Sequence, residues 1–225
     1  MGLWGGFTSS AMAERPLLRV HPQILIPTQK FVGMAWVHYK MKRLKGMSKR
    51  ELDRHLREDP EPVVIGPEGR LYLVDGHHEA MAVLLRRPGK KIYVEVVEDW
   101  SHLDVVEFHR RMIAKNWFYV GDEIDEHVYE PGDLPKSLPE MLDAPYRSLA
   151  SFVRKAGGCR KCKSTHSEFT WARALRKVVP MGLVQSNWEE AIQQGVKFAR
   201  SSKAEGLPGY ISSCEEALLP PETRP

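Results

Sequence analysis

The sequence has few cysteines, only a small excess of positive charge and no long apolar run. Its three cysteines, Cys159, Cys162 and Cys214, do not make a disulfide framework, which favours a reducing, cytoplasmic setting. A membrane-spanning helix needs roughly 20 consecutive apolar residues, so we expect no membrane partner. The net charge of +4 permits contact with phosphate-bearing ligands, but a dedicated DNA-binding module is typically more basic.

Hydrophobic residues make up 42% of the 225 residues and charged residues 28%, which is typical of a folded protein. The length suits one sizeable domain, or one domain with an appended subdomain. We divide the chain into a disordered leader or tag at residues 1–16, an α+β domain at residues 17–130, a helical subdomain at residues 140–200 and a loose tail at residues 201–225.

The strongest local pattern lies at residues 62–86. Residues 63–65 and 71–74 are apolar runs on either side of a Pro/Gly turn, which predicts a β-hairpin. Five polar residues follow, Asp75, Gly76, His77, His78 and Glu79 (the DGHHE motif). The next residues are apolar at a spacing of four, which predicts a helix packed on the sheet.

The DGHHE motif therefore lies between the end of a strand and the first turn of a helix. Free backbone N–H groups and the positive end of the helix dipole converge there, which suits a phosphate or another anion. A purely structural interpretation stays open, in which Asp75 caps the helix and Gly76 supplies the turn. Two adjacent histidines and a glutamate favour the functional interpretation, because a cap needs only one such residue.

Similar patterns predict further elements. The expected strands are residues 23–26 and 91–97, and the expected helices are residues 33–45, 48–57, 104–115, 145–156, 168–179 and 187–199. We expect Ser48 and Ser101 to cap the helices that follow them. Residues 132–139 are rich in proline and glycine, which is typical of a linker.

Four segments, in the same order along the chain, resemble segments of the ParB/sulfiredoxin superfamily. The closest resemblance is to its branch of ParB-like nucleases. The four segments are LIPTQKFVG at residues 25–33, GPEGRLYLVDGHH at residues 66–78, DAPYRSLASFVRKAGG at residues 143–158 and HSEFTWARALR at residues 166–176. The resemblance implies an α+β fold with a small mixed sheet and helices, here followed by a helical C-terminal subdomain. It also implies that the motif at the helix start holds a nucleotide phosphate.

The motif departs from each specialised member of that superfamily. Sulfiredoxins carry a cysteine where this chain has His77, so sulfinic acid reduction is excluded. ParB proteins have an arginine-rich motif after the glycine, unlike His77, His78 and Glu79. Kinases of free serine share the Asp-Gly-His start, but they carry a glutamate base after the first strand. This chain has Gln29 there, and an amide cannot take a proton from a substrate hydroxyl.

Within the motif we expect Asp75, His77, His78 and Glu79 to be the catalytic candidates. Asp75 either caps the helix or binds a divalent metal and acts as a base. The adjacent histidines point about 100° apart on a helix, so they do not easily chelate one metal together. We expect one of them to face the anion as a donor and the other to pack or bond locally. A charge switch near pH 6.5 makes either of them a candidate acid or phosphate clamp. Glu79 is either a second metal ligand or solvent-facing.

Residues outside the motif are secondary candidates. By resemblance, the loop of Thr28, Gln29 and Lys30 faces the motif and contacts the phosphate together with Gly76, His77 and His78. The alternative is a plain connecting loop. Lys40 belongs to a basic helix face that is either solvated or turned to phosphate. Arg147 either reaches the pocket or locks the two halves of the chain together. The pair Cys159 and Cys162 with His166 is half a zinc site at most.

These observations lead to one functional hypothesis and two alternatives. The first is a phosphoryl-transfer or phosphodiester-cleaving enzyme that uses ATP or another nucleotide, or a nucleic-acid phosphate, with Mg²⁺ or Mn²⁺ at Asp75 and Glu79. The second is a non-catalytic nucleotide- or DNA-binding protein. The third is a kinase for a small hydroxyl substrate such as free serine.

Overall fold

The computed structural model describes residues 15–121, 128–162 and 166–211. The expected leader, apart from its last two residues, and Cys214 lie outside this part of the chain. The strands are β1 (Leu17–Val20), β2 (Leu25–Pro27), β3 (Phe31–Val32), β4 (Glu61–Ile65), β5 (Leu71–Leu73), β6 (Ile92–Asp99) and β7 (Leu142–Asp143). The helices are α1 (Met34–Gly46), α2 (Lys49–Glu58), α3 (His77–Arg86), α4 (Val105–Ala114), α5 (Pro145–Lys155), α6 (Ser167–Arg176), α7 (Met181–Ser186) and α8 (Trp188–Ala199).

The first half is built on a five-stranded mixed sheet in the order β1-β6-β4-β5-β2. Strands β4 and β5 form the predicted antiparallel hairpin, with Val63 opposite Leu73. Neighbouring residues of β4 face opposite sides of the sheet, as in any strand. Val63 packs into the core beneath α1, α2 and α3, whereas Val64 packs against α4 around Phe108. The α+β fold with a mixed sheet is therefore confirmed.

The sheet topology brings two loops together at one edge. Strand β2 runs parallel to β5, with Pro27 opposite Leu73, so both strands end at the same edge. The loop after β2 begins at Thr28, and the DGHHE motif follows β5 by one residue. This register places residues 28–30 beside the start of α3.

The second half is helical and has its own core. Leu149, Trp171 and Leu175 are buried there against α7 and α8. The two halves are joined by the short parallel pair β3–β7, in which Phe31 lies opposite Leu142. Helix α1 also packs against α5, so the halves form a single body with a cleft between them.

Several local expectations differ from the structure. The side chain of Asp104, not that of Ser101, caps α4, by accepting a hydrogen bond from the Glu107 amide. Residues 132–139 are not a free linker, because Leu138 is fully buried in the core of the first half. Ala204, in the segment expected to be a loose tail, is buried in the helical core. Helix α7 is too short to show a helical repeat, so the sequence pattern missed it.

Helix α2 matches its prediction in detail. Ser48 accepts a hydrogen bond from the Glu51 amide, and the Glu51 carboxylate accepts one from the Ser48 amide, which is a complete capping box. Among the described residues, the helices are all too short or too polar to cross a membrane.

Candidate functional site

A cavity of about 910 Å³ lies between the two halves of the chain. One wall comes from the first half and contains the start of α3, the start of β4 and part of α1. The opposite wall comes from α5, α6 and the segment between them. The acidic and basic side chains along it are Lys40, Asp59, Glu61, Asp75, Glu79, Arg147, Arg154, Lys161 and Glu168, together with His78 and His166.

The first turn of α3 opens into this cavity. Gly76 is the N-cap residue, with a left-handed φ of 80°, and no side chain in the described part of the chain caps the helix. Asp75 does not cap it, because its Oδ1 accepts a hydrogen bond of 2.7 Å from the Gly76 amide instead. The His77 and His78 amides therefore receive no side-chain cap, whereas the Glu79 amide donates to the Gly76 carbonyl at 2.9 Å. The positive end of the helix dipole lies at the same turn.

His77 does not line the cavity. Its side chain has a structural role, because it holds the loop after β2 in place. Its Nε2 accepts a hydrogen bond of 3.1 Å from the Thr28 amide, and the Thr28 hydroxyl donates to the Leu73 carbonyl at 2.7 Å. Burial, reinforced by the positive charges of His166 and Arg147, lowers the pKa of His77 to about 3. A neutral His77 therefore ties the loop after β2 to the motif.

His78 lines the cavity. Its Nε2 accepts a hydrogen bond of 3.0 Å from the Gly33 amide, so Nδ1 carries the proton when the ring is neutral. Burial, and then the nearby Arg147, hold the pKa of His78 well below its ordinary value. Burial of both rings favours their neutral forms, which argues against the charge switch near pH 6.5 that the sequence analysis expects.

Glu79 is neither exposed nor free. One carboxylate oxygen bonds the Lys40 ammonium, and the other lies 3.1 Å from Nε2 of His55. Burial alone would raise the pKa of Glu79, but Lys40 and His55 outweigh it and hold that pKa below its ordinary value. Lys40 lines the cavity beside Glu79, so this lysine belongs to an internal ion pair and not to a solvated helix face.

The loop after β2 contributes only one of its three candidates to the cavity. Gln29 lines it and donates a hydrogen bond of 2.6 Å to the Phe31 carbonyl. Thr28 is buried beneath the motif. Lys30 turns away, with its ammonium 3.6 Å from the centre of the Tyr129 ring.

The opposite wall supplies positive charge. Arg147 donates to the Ser151 hydroxyl at 2.9 Å and lies 3.7 Å from the Glu168 carboxylate. Arg154 pairs with the other oxygen of Glu168 at 3.4 Å, and Lys161 lies at the same wall. Three cations against one carboxylate leave this wall positive.

The cysteines do not form a metal centre with His166. Burial raises the pKa of the Cys159 thiol to about 11. His166 bonds the Asn116 carbonyl at 3.0 Å. Within residues 15–121, 128–162 and 166–211, no group of three or more His, Cys, Asp and Glu side chains is arranged to hold a metal.

Glu61 is a site residue that the sequence analysis missed. It is the first residue of β4, and its carboxylate faces the cavity beside Gly76. Burial, and then the charges of Glu79 and Asp75, raise its pKa well above the ordinary value. The only signal in the sequence is a glutamate between two prolines, Pro60 and Pro62, immediately before an apolar strand.

This combination of fold and cleft defines a protein of the ParB-like class. The family model described as "Putative ParB-like nuclease" matches residues 18–177. The chain therefore belongs to the ParB-like nuclease family, which confirms the resemblance noted in the sequence.

A solved structure supports the same assignment. The crystal structure of protein Atu1540 from Agrobacterium tumefaciens is similar to this chain over 89% of its length and 99% of the other chain. The two are 33% identical in sequence, with a TM-score of 0.81. Comparison with functionally curated proteins gives no match.

Proposed function

We propose that the cavity binds a nucleotide through its phosphates and catalyses phosphoryl transfer or phosphodiester cleavage there. The observation that carries this proposal is the convergence of two positive features on one cavity. The uncapped first turn of α3 lies on one wall, and Arg147, Arg154 and Lys161 lie on the other. A phosphate group between them would meet backbone N–H donors from one half of the protein and charged donors from the other.

The size and position of the cavity favour a small ligand over a DNA duplex. Pockets for small molecules typically enclose about 300–1,000 Å³, and this cavity of about 910 Å³ is within that range. Duplex recognition instead uses an exposed helix or strand that enters a groove. A mononucleotide, or a single nucleotide at the end of a strand, fits this enclosure.

The side chains suit a reaction at phosphorus. Phosphoryl transfer depends mainly on positioning and on neutralising negative charge, and the cations of the α5 wall can do both. The neutral His78 ring offers an Nδ1–H donor to a phosphate oxygen. The kinase alternative remains weak, because Gln29 is held by the Phe31 carbonyl and supplies no proton acceptor.

A divalent cation would offset the phosphate charge, and the carboxylates differ in their ability to hold one. Glu79 does not fit, because both its oxygens are engaged by Lys40 and His55. Asp75 keeps one oxygen free of the Gly76 amide. Mg²⁺ in nucleotide sites commonly takes one or two carboxylates and completes its shell with phosphate oxygens and water.

Thermal stabilisation tests the binding step. ATP, ADP, CTP and GTP are each added with and without Mg²⁺ or Mn²⁺, because a ligand of the native state raises the melting temperature. We expect a shift in the wild type that Arg154→Ala reduces strongly. Arg173→Ala is the matched control. Arg173 belongs to α6, which forms part of the same wall, but its side chain is exposed and does not line the cavity.

Turnover is measured separately, as phosphate release from the nucleotide that binds and as cleavage of bis(p-nitrophenyl) phosphate. Binding with turnover supports the enzyme. Binding without turnover of either substrate favours the non-catalytic alternative. No shift with any nucleotide contradicts the proposal as a whole.

A further inference from the structure

We propose that Glu61 and Asp75 together form the divalent-cation site of this cavity, beside the first turn of α3. The proposal rests on the proposed phosphate site, and it replaces Glu79 by Glu61 as the second carboxylate. The cation chemistry is that of Mg²⁺ or Mn²⁺, which prefer carboxylate and phosphate oxygens.

The position of Glu61 is the first argument. A Cβ atom built on Gly76 would come within 1.6 Å of Glu61 Oε2 and 2.7 Å of Oε1. The carboxylate therefore lies against the backbone of the motif, at the point where the open helix turn begins. A cation bound there would be adjacent to a phosphate on the α3 amides, and so would be able to share its oxygens.

The second argument is that Glu61 has no partner. Among the described residues, its carboxylate makes no hydrogen bond or ion pair, and the residue is partly exposed where it lines the cavity. A carboxylate that is largely enclosed by protein is normally paired or coordinates a metal. A ligand in the cavity would reach Glu61 from its exposed side.

The third argument is that the other carboxylates of the cavity are less suitable. Glu79 is held by Lys40 and His55, and Glu168 is held by Arg147 and Arg154. Asp59 and Asp75 are both exposed, but only Asp75 adjoins Gly76 in the motif. Glu61 and Asp75 are the remaining pair, and they flank Gly76 from two different elements.

The charges around the pair are compatible with a cation. Lys40 lines the same cavity, but its ammonium is engaged by the Glu79 carboxylate and forms no ion pair with Glu61. Two carboxylates without a third protein ligand agree with the lack of a complete metal cage in the described residues, since phosphate and water would complete the shell.

Manganese binding tests the proposal without an activity assay. The paramagnetic resonance signal of free Mn²⁺ is titrated with the full-length protein, alone and with ADP, and binding removes the signal. We expect one Mn²⁺ per chain in the wild type, and an affinity lower by at least about tenfold in Glu61→Gln and in Asp75→Asn. Glu58→Gln is the matched control, because Glu58 is exposed at the end of α2 and outside the cavity lining.

The outcomes separate this inference from the proposed function. If ADP stabilises the wild type but Glu61→Gln binds Mn²⁺ as the wild type does, the cation site is wrong and the nucleotide site stands. If the wild type binds no Mn²⁺ with ADP present, the cation site is equally overturned. If neither ADP nor Mn²⁺ binds, both proposals fail. Circular dichroism melts of each variant accompany the titration, and the neutral, similarly shaped Gln at position 61 is expected to leave the fold intact.

Discussion

The Glu61 carboxylate occupies the space that a side chain on Gly76 would need. Its Oε2 lies 1.6 Å from the position of a Cβ on Gly76, and the Gly76 φ of +80° is in the left-handed region. The left-handed backbone favours glycine at this position, and any larger residue would also push the Glu61 carboxylate aside. The same contact links the start of β4 to the start of α3, and so it links the hairpin to the motif.

Gly76→Ala should therefore destabilise the protein more than the same substitution at a left-handed glycine that has open space around it. Gly89 is the matched control, since its φ is +83° and a Cβ there meets nothing within 4 Å. We expect Gly89→Ala to cost about 1 kcal/mol from backbone strain. Gly76→Ala should cost up to about 1 kcal/mol more, because the Glu61 carboxylate, at the end of a flexible side chain, must rotate away from the new methyl group. Urea denaturation measures both, and equal losses would show that Glu61 does not press on Gly76.

Glu61→Gln should stabilise the protein at alkaline pH and leave it unchanged in acid. The folded-state pKa of Glu61 is raised, so the unfolded chain releases this proton at a lower pH than the folded one. The wild type therefore loses stability as the pH rises from the ordinary glutamate value to the folded pKa, and glutamine removes that loss. Melting temperatures of both proteins from pH 4 to pH 9 test this, and a difference that is constant with pH would contradict it.

The histidines of the motif should not titrate in the neutral range. The pKa of His77 is lowered to about 3 and that of His78 also lies well below its ordinary value, because both rings are buried and accept backbone hydrogen bonds. We expect their ring proton resonances to stay constant between pH 5 and pH 8. An inflection near pH 6.5 in either ring would restore the histidine switch that the sequence predicts.

Replacing His77 should destabilise the protein through Thr28. His77→Phe keeps a ring of similar shape but leaves the buried Thr28 amide without its acceptor. An unsatisfied buried donor costs about 1–3 kcal/mol. Urea denaturation gives the loss, and amide hydrogen exchange at Thr28 should accelerate at the same time. An unchanged exchange rate at Thr28 would show that the ring nitrogen is not its acceptor.

The sequence predicts the parts of this molecule that are set by nearby residues. The hairpin of β4 and β5, the helix after the motif and the capping box of Ser48 with Glu51 all depend on spacings of a few residues. These are the interactions that a local pattern records. The resemblance to the ParB-like family adds the order of the elements, and the family assignment confirms it.

The composition of the cavity depends on contacts that no local pattern contains. Glu61 reaches the motif because β4 and β5 pair, and Arg154 and Lys161 reach it because α5 packs on α1 some 100 residues away in sequence. The orientation of each motif side chain is equally a tertiary property. Glu79 turns to Lys40, and His77 turns to the loop after β2. Neither orientation can be read from residues that are neighbours in sequence.

Lys40 and Glu79 should behave as a coupled pair. Lys40→Met leaves the buried Glu79 with His55 as its remaining partner. We expect the free energy of unfolding to fall by about 1–3 kcal/mol, because the Glu79 carboxylate loses the charge that compensates it. Glu79→Gln in the same chain should recover part of that loss, and a double-mutant cycle measures the coupling. The folded pKa of Glu79 is lowered, so the stability that this pair contributes is present above the ordinary glutamate pKa and is lost as the pH falls through the folded pKa. The coupling measured at pH 7 should therefore weaken in acid, and additive losses at pH 7 would show that the two side chains do not interact.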